Sequence, residues 1–463
     1  MIRSDDFHRL RAELDGPGPT LTLVSGPSGA GKTHLLGAVL TAADGVVHRA
    51  GPLPDADQRS LLAGRLARWL PGGAGPPPDA DWDVLLGAAL DEVEATRRRL
   101  VLVLDDAHRL VEARSRVPAF LAEAWTRVRA RGLPVHLVLA GRSPHLADAF
   151  GGEDGPLAAA ATLELAVAPL GYREVGRLLP GYSAADRIRA WAAFGGFPYR
   201  LRHLDASVTL STNIQKAFLT PGAPLHTDGL DTLARDVQSP ARYVSILRAL
   251  ASGRSEWGAV LEAVPDVDAG AGMAPYLARL ESLGVIRSER SLDASRRSRR
   301  RRYRIVDPSL AFWCRWVLPA LSDVSPGTAS EAWTASVRSG LEEHTALSFA
   351  AVCREFLGRH AAPLLGAVGR DVGGLWGSGY DLDPAGTLAN GAVFYGHAYW
   401  GKRHAPPDAV DRLVTQVRRT RYGFGREGRH RLVFGAGGFT RETHRVAARD
   451  HLVQLVDLDH LLD

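Results

Sequence analysis

Gly26-Pro27-Ser28-Gly29-Ala30-Gly31-Lys32-Thr33 fits the phosphate-binding loop pattern G-x-x-x-x-G-K-[ST]. The chain holds three lysines, Lys32, Lys216 and Lys402, and the other 53 of its 56 basic residues are arginines. One of the three falls where a compact ammonium must reach between two phosphates, a place ill suited to the broad guanidinium fork. Thr20–Ser25 upstream is a short apolar run, and His34–Ala43 downstream predicts a helix. Between them the glycines let successive N–H groups point inward as an anion nest. The helix aims its positive end at the same place. All eight residues are therefore expected to hold ATP, with Lys32 on the terminal phosphates and the Thr33 hydroxyl on Mg²⁺.

Strand-like and helix-like segments alternate around this loop. Val46–Arg49 predicts a strand, Leu61–Leu70 and Trp82–Arg97 helices, Leu100–Leu104 a strand, Ala119–Ala130 a helix and Val135–Ala140 a further strand. That order implies an α/β parallel sheet covered on both faces. Leu100-Val101-Leu102-Val103-Leu104-Asp105-Asp106 is an apolar strand ending in acid. Asp105 is expected in the Mg²⁺ shell and Asp106 beside the attacking water. Asp106 is one methylene shorter than the glutamate common at this place, which suits slow hydrolysis and a switch better than a motor. Val135–Ala140 ends in Gly141-Arg142-Ser143, where Arg142 or Ser143 is the candidate γ-phosphate sensor and a plain strand-exit turn is the alternative. The catalytic set is thus Lys32, Asp105, Asp106 and Arg142.

At 463 residues one core is too few, and two to four domains are expected. The net charge of +5 is modest, so only a local cluster of arginines would point to nucleic acid. Cys314 and Cys353 are the only cysteines, which excludes a disulfide framework and a four-thiolate zinc site. Both lie in apolar helical patterns and read as buried, inert thiols. The first residues are charged, and no long uncharged apolar run follows. These features predict a soluble cytoplasmic protein with no membrane partner.

Further along, Ile246, Leu247 and Leu250 mark one helical face, and Tyr276, Leu277, Leu280 and Leu283 another. Gly284 reads as a helix cap. Val285–Glu289 and Tyr303–Val306 can pair as a hairpin. The aromatic set Phe312, Trp313 and Trp316 has the spacing of a buried helix face.

Several of these segments carry a resemblance. Gly195-Gly196-Phe197-Pro198-Tyr199, the stretch Tyr243–Gly253, Tyr276–Ile286 and Tyr303–Asp307 with Phe312–Trp316 resemble successive motifs of the archaeal-type ATPase family, relatives of the AAA+ and STAND ATPases. The resemblance runs over almost the full length. It implies a P-loop ATPase core (1–168), a helical lid (169–239), a winged-helix domain (240–322) and a C-terminal α/β domain similar to restriction endonucleases (323–463).

The hairpin loop holds Arg296, Arg297, Arg299, Arg300, Arg301 and Arg302, with Arg304 beyond it. On a winged-helix scaffold these arginines are expected along the backbone of duplex DNA; a solvated charge run is the other reading. In the C-terminal region, Asp383 matches the metal-binding acid of the nuclease pattern. His397 and Tyr399 replace its Glu and Lys, and Ala350 stands where a helix Glu is expected. Lys402 is an odd number of residues from Tyr399, so on a regular strand it would face the other way. An inactive domain is expected, retained to bind DNA or to complete an interface, with His397 a packed histidine. The whole reads as an ATP-dependent, DNA-associated switch. The alternative is a STAND-like signalling or scaffold ATPase whose winged helix contacts protein, including a second copy of itself.

Overall fold

The computed structural model describes residues 4–463 apart from 41–44, 74, 115, 143–144, 152–156, 158–159, 235–236, 238, 265–271, 296, 299 and 322–328. The chain divides into two units, Met1–Pro169 and Leu170–Asp463.

In the first unit five short apolar segments become strands: β1 (Thr20–Ser25), β2 (Gly45–Arg49), β3 (Leu100–Asp105), β4 (Val135–Gly141) and β5 (Leu163–Ala166). All neighbours are parallel, in the order β2-β3-β4-β1-β5. β3 and β4 are buried at every residue, as expected of strands covered on both faces. The helices are α1 (Ser4–Leu14), α2 (Lys32–Val39), α3 (Asp55–Trp69), α4 (Trp82–Thr96), α5 (His108–Ala113) and α6 (Val117–Arg131). Trp82 opens α4 fully buried, and its indole N–H donates to Asp55 of α3 at 2.8 Å.

Some boundaries differ from expectation for local reasons. α2 starts at Lys32, directly after left-handed Gly31 (φ 99°), and ends at Val39 rather than Ala43 because Leu40 is extended. α3 begins six residues before the predicted Leu61, since Pro54 precedes it and Asp55 and Asp57 favour the positive helix end. β5 escapes the apolar pattern because it is four residues long and buries only Leu165 fully.

The second unit packs the residues expected to form a lid, a winged helix and a C-terminal domain around one shared apolar cluster, from Leu170 through Phe312, Trp313 and Phe349 to Leu461. Cys314 and Cys353 are free and buried in it. Helices Pro240–Ala251, Trp257–Glu262 and Ala274–Ser282 precede an antiparallel hairpin of β6 (Ile286–Glu289) and β7 (Arg302–Ile305). A long helix, Arg338–Arg359, then leads into β8 (Gly369–Gly377), β9 (Tyr380–Leu388), β10 (Val393–Tyr399), β11 (Arg429–Gly435) and β12 (Val453–Val456). This sheet is ordered β12-β11-β10-β9-β8, antiparallel from β8 to β10 and parallel from β10 to β12. Lys402 lies past the end of β10, so the alternation expected to turn it away from Tyr399 does not apply; it is exposed.

Gly195 and Gly196 sit at a close approach. A side chain on Gly196 would lie 1.9 Å from the Leu170 carbonyl, and Leu170 N–H donates to the Gly196 carbonyl at 2.8 Å. Arg200, four residues on, is fully buried and donates to Asp228 (2.7 Å) and to Asp307. Among the described residues no helix is long and apolar enough to cross a membrane.

Candidate functional site

The loop leaves β1 with Gly26 against β5's exit: a Cβ there would stand 2.2 Å from the Val167 carbonyl oxygen. Gly29 (φ 80°) and Gly31 (φ 99°) both take left-handed conformations, which ordinary residues reach only at a cost. Pro27, Ser28, Gly29 and Thr33 are exposed, whereas Lys32 is only 6% exposed. Its ammonium donates to the loop's own carbonyls at Gly26 (2.9 Å) and Pro27 (3.0 Å). Burial lowers the Lys32 pKa, with Arg142 adding to that and Asp106 and Asp105 opposing it.

Because β3 lies one strand away from β1, across β4, its last residue comes level with the loop. Thr33 Oγ1 donates to Asp105 Oδ2 at 2.6 Å, and Asp105 is 2% exposed. These two hard oxygens converge on one point from separate elements, the donor chemistry that Mg²⁺ takes. Asp106 follows in a left-handed conformation (φ 55°), and its N–H donates to Asp105 Oδ1 at 3.0 Å. β4 lies between β3 and β1, so Arg142 at its exit is brought to the same edge. The other sensor candidate, Ser143, lies outside the described residues.

Residues 17–150 match the family model described as an AAA domain. The first unit has the P-loop NTPase fold, and most of it is similar to an AAA domain. Among solved structures the chain is similar to a Walker-type ATPase of Pyrococcus abyssi, at 19% identity and TM-score 0.48 over 67% of this chain and 95% of that one. It is also similar to the ORC2 protein of Aeropyrum pernix, at 12% identity and TM-score 0.45 over 72% and 95%. The ORC1 protein of the same organism, solved in complex with DNA, follows at 17% identity and TM-score 0.36 over 69% and 92%. None of the curated proteins matches the sequence.

The matched stretch contains two residues that sequence reasoning passed over. Arg49 ends β2, level with Asp105, and its guanidinium lies 3.9 Å from Asp105 and 3.6 Å from Asp106. Only the strand order reveals it, since β2 is remote from β3 in sequence. His108, three residues after Asp105, is 4% exposed and stacks on His145. Its place in the first turn after the acids was the available signal.

The second unit gathers the other predicted residues differently from expectation. Arg302 does not reach outward from the hairpin. It donates to both oxygens of Asp381 (2.9 and 3.0 Å) and lies over the Trp376 ring. Arg304 donates to Asp383 Oδ2 at 2.6 Å. Arg354, from the long helix, donates to both oxygens of Asp383 and to Glu289. Burial by itself would raise the Asp383 carboxyl, but Arg304 and Arg354 outweigh it and hold the group below the usual carboxylate range. His397 pairs with Asp383 across β9 and β10, and burial lowers its pKa against the opposing pull of Gln416, Asp381 and Asp383. Among the described residues no cluster of three or more His, Cys, Asp or Glu side chains could hold a metal ion. Arg297, Arg300 and Arg301 remain exposed at the hairpin tip; Arg296 and Arg299 lie outside the described residues.

Proposed function

We propose that this protein binds Mg·ATP through residues 26–33 and Asp105 and hydrolyses it slowly, as a cytoplasmic switch that engages duplex DNA. The observation that carries the reading is the 2.6 Å contact between Thr33 and Asp105, which joins the loop's helix to the acid of β3. Lys32 would turn from the Gly26 and Pro27 carbonyls to the terminal phosphates, an exchange of partners rather than a rearrangement of the loop. Mg²⁺, held by Thr33 and Asp105, would neutralise charge on the phosphates. Asp106 would orient water and Arg142 would read the γ-phosphate. Closure around that phosphate is the differential interaction a two-state device needs.

Three helices followed by a hairpin support a winged-helix reading of residues 240–322, with Arg297, Arg300 and Arg301 placed to meet phosphates. The C-terminal sheet, with its leading helix, supports a nuclease-like fold. Its chemistry is absent in this reading, because two guanidiniums stand where a metal would need unopposed carboxylates.

The test is Lys32→Ala, read by ATP titration and phosphate release with folding followed by circular dichroism. A folded variant that has lost binding or turnover is expected; wild-type ATPase activity in it would defeat the reading. One observation favours the scaffold alternative: Arg302 and Arg304 are already engaged within the chain. A salt-dependent gel shift that is absent at every ionic strength would decide for that alternative.

A further inference from the structure

The second unit carries another arginine-rich segment that the nucleotide site and the hairpin leave unexplained. Residues 418–431 include Arg418, Arg419, Arg421, Arg426, Arg429 and Arg431 against a single acid, Glu427. Residues 418–428 join the helix Ala409–Val417 to β11, in which Arg429 and Arg431 lie. The segment is anchored from within. Arg419 donates to the Gly379 carbonyl at 3.2 Å, Tyr395 donates to the Tyr422 carbonyl, and Arg431 pairs with Asp450 at 2.7 Å. Its tip is a turn, with Phe424 N–H donating to the Arg421 carbonyl at 3.1 Å and Arg426 donating to the Gly391 carbonyl at 3.1 Å, that leaves Phe424 81% exposed between Gly423 (φ 68°) and Gly425 (φ 78°). A large aromatic ring held out on two left-handed glycines and flanked by Arg421 and Arg426 has no role in the core.

The segment also lies beside the hairpin loop. Thr420 donates to Asp293 Oδ2 at 3.1 Å, and Tyr380 donates to the same oxygen at 2.6 Å. Asp293 belongs to the loop that bears Arg297, Arg300 and Arg301. One carboxylate thus fastens two arginine-rich segments, more than a hundred residues apart in sequence, side by side.

We infer that residues 418–426 and the hairpin tip form one composite surface for duplex nucleic acid, with Arg418 and Arg421 on backbone phosphates and Phe424 placed against the bases. The inference rests on the reading of the hairpin as a DNA contact and adds a second contact to it. Charge selects a polyanion. The lone protruding ring suits insertion at a base step and offers too little apolar area to hold a membrane.

The test is fluorescence anisotropy of a labelled 20-base-pair duplex of arbitrary sequence, titrated over a series of NaCl concentrations. Removing one arginine that neutralises a phosphate should flatten the log–log salt slope by about 0.9. Arg418→Ser with Arg421→Ser is expected to flatten it by about 1.8 and to weaken binding at least tenfold in low salt. Phe424→Ala is expected to weaken binding with the slope unchanged, which separates ring from charge. Melting temperature and ATP turnover of both variants should match the parent. If Arg297→Ser with Arg300→Ser weakens binding while the loop variants leave affinity and slope intact, the composite surface is refuted and the hairpin reading stands. If the parent binds no duplex, or binds anionic phosphatidylserine vesicles in preference, both fall.

Discussion

Arg354 closes a two-pronged contact on Asp383, Nε to Oδ1 at 2.6 Å and Nη2 to Oδ2 at 2.9 Å. The acid that the sequence offers as a metal ligand is therefore one corner of a largely buried square, with Arg354 and Arg304 facing Asp383 and Glu289. The charges balance and the square ties hairpin, long helix and sheet together. Removing one corner leaves a buried charge unopposed, so Arg354→Met should cost about 3–5 kcal/mol in urea unfolding. Arg354→Met combined with Asp383→Leu should recover most of that, because Arg304 and Glu289 still pair. A loss in the double variant equal to the sum of the two single losses would show that the corners are not coupled. The carboxyl is held below its usual range, so its contribution is present above about pH 4 and fades as acid protonates it.

Arg49 competes with any cation for the acids at the end of β3. It lies within 4 Å of both Asp105 and Asp106 but its side chain is 65% exposed. Exposed pairs are worth at most about 1 kcal/mol. Arg49→Ala is therefore expected to lower the Mg²⁺ concentration for half-maximal ATP turnover by roughly two- to fivefold, the range such an energy allows. A fall in turnover at saturating Mg²⁺, with the half-point unmoved, would instead assign Arg49 to the reaction itself.

The chain-local parts of this architecture were legible and the chain-remote parts were not. The loop, the apolar run to Asp105 and the hairpin each depend on residues adjacent in sequence, where periodicity and glycine placement speak directly. Arg49 and Asp106 meet only through sheet order. Arg304 reaches Asp383 across 79 residues, and nothing in an arginine run distinguishes the members that turn inward from those at the tip. Trp376 and Asp381 make that choice for Arg302, and both lie in a later segment.

Gly196 predicts a sharp intolerance. Alanine there would drive Cβ to 1.9 Å from the Leu170 carbonyl oxygen, against backbone that has no flexible end to move. The displaced stretch of chain also carries Arg200, whose buried pairs with Asp228 and Asp307 depend on its position. Gly196→Ala should lower stability by more than about 2 kcal/mol, at the large end for single substitutions. Differential scanning calorimetry should show the loss in the transition of the second unit, with ATP binding by the first retained. An unchanged thermogram would mean that Leu170 can give way at no cost.

Glu355 gives a pH dependence of unusual sign. It lies on the long helix facing Glu174, and a single point, the Cβ position of a residue at Gly171, is 1.8 Å from Glu355 Oε1 and 2.6 Å from Glu174 Oε2. Neither of these buried oxygens has a hydrogen-bond partner among the described residues. Burial first, then Glu174, pushes the Glu355 carboxyl up to about 7, against the opposing pull of Arg359, the Tyr172 backbone and Arg173. At the same helix end, burial and then Arg173 lower the pKa of His360. The folded protein thus binds a proton here that the unfolded chain releases near its ordinary value of about 4.3. This contribution to stability should be fully present at and below that lower value, fall as pH rises toward 7, and level off beyond, by about 3–4 kcal/mol in all. Glu355→Gln keeps the shape and removes the titration, so its unfolding free energy should be flatter from pH 5 to 7 and exceed the parent's at pH 8. If urea denaturation across that range shows the two proteins running parallel, the carboxyl pair does not share a proton and Glu355 is ionised throughout.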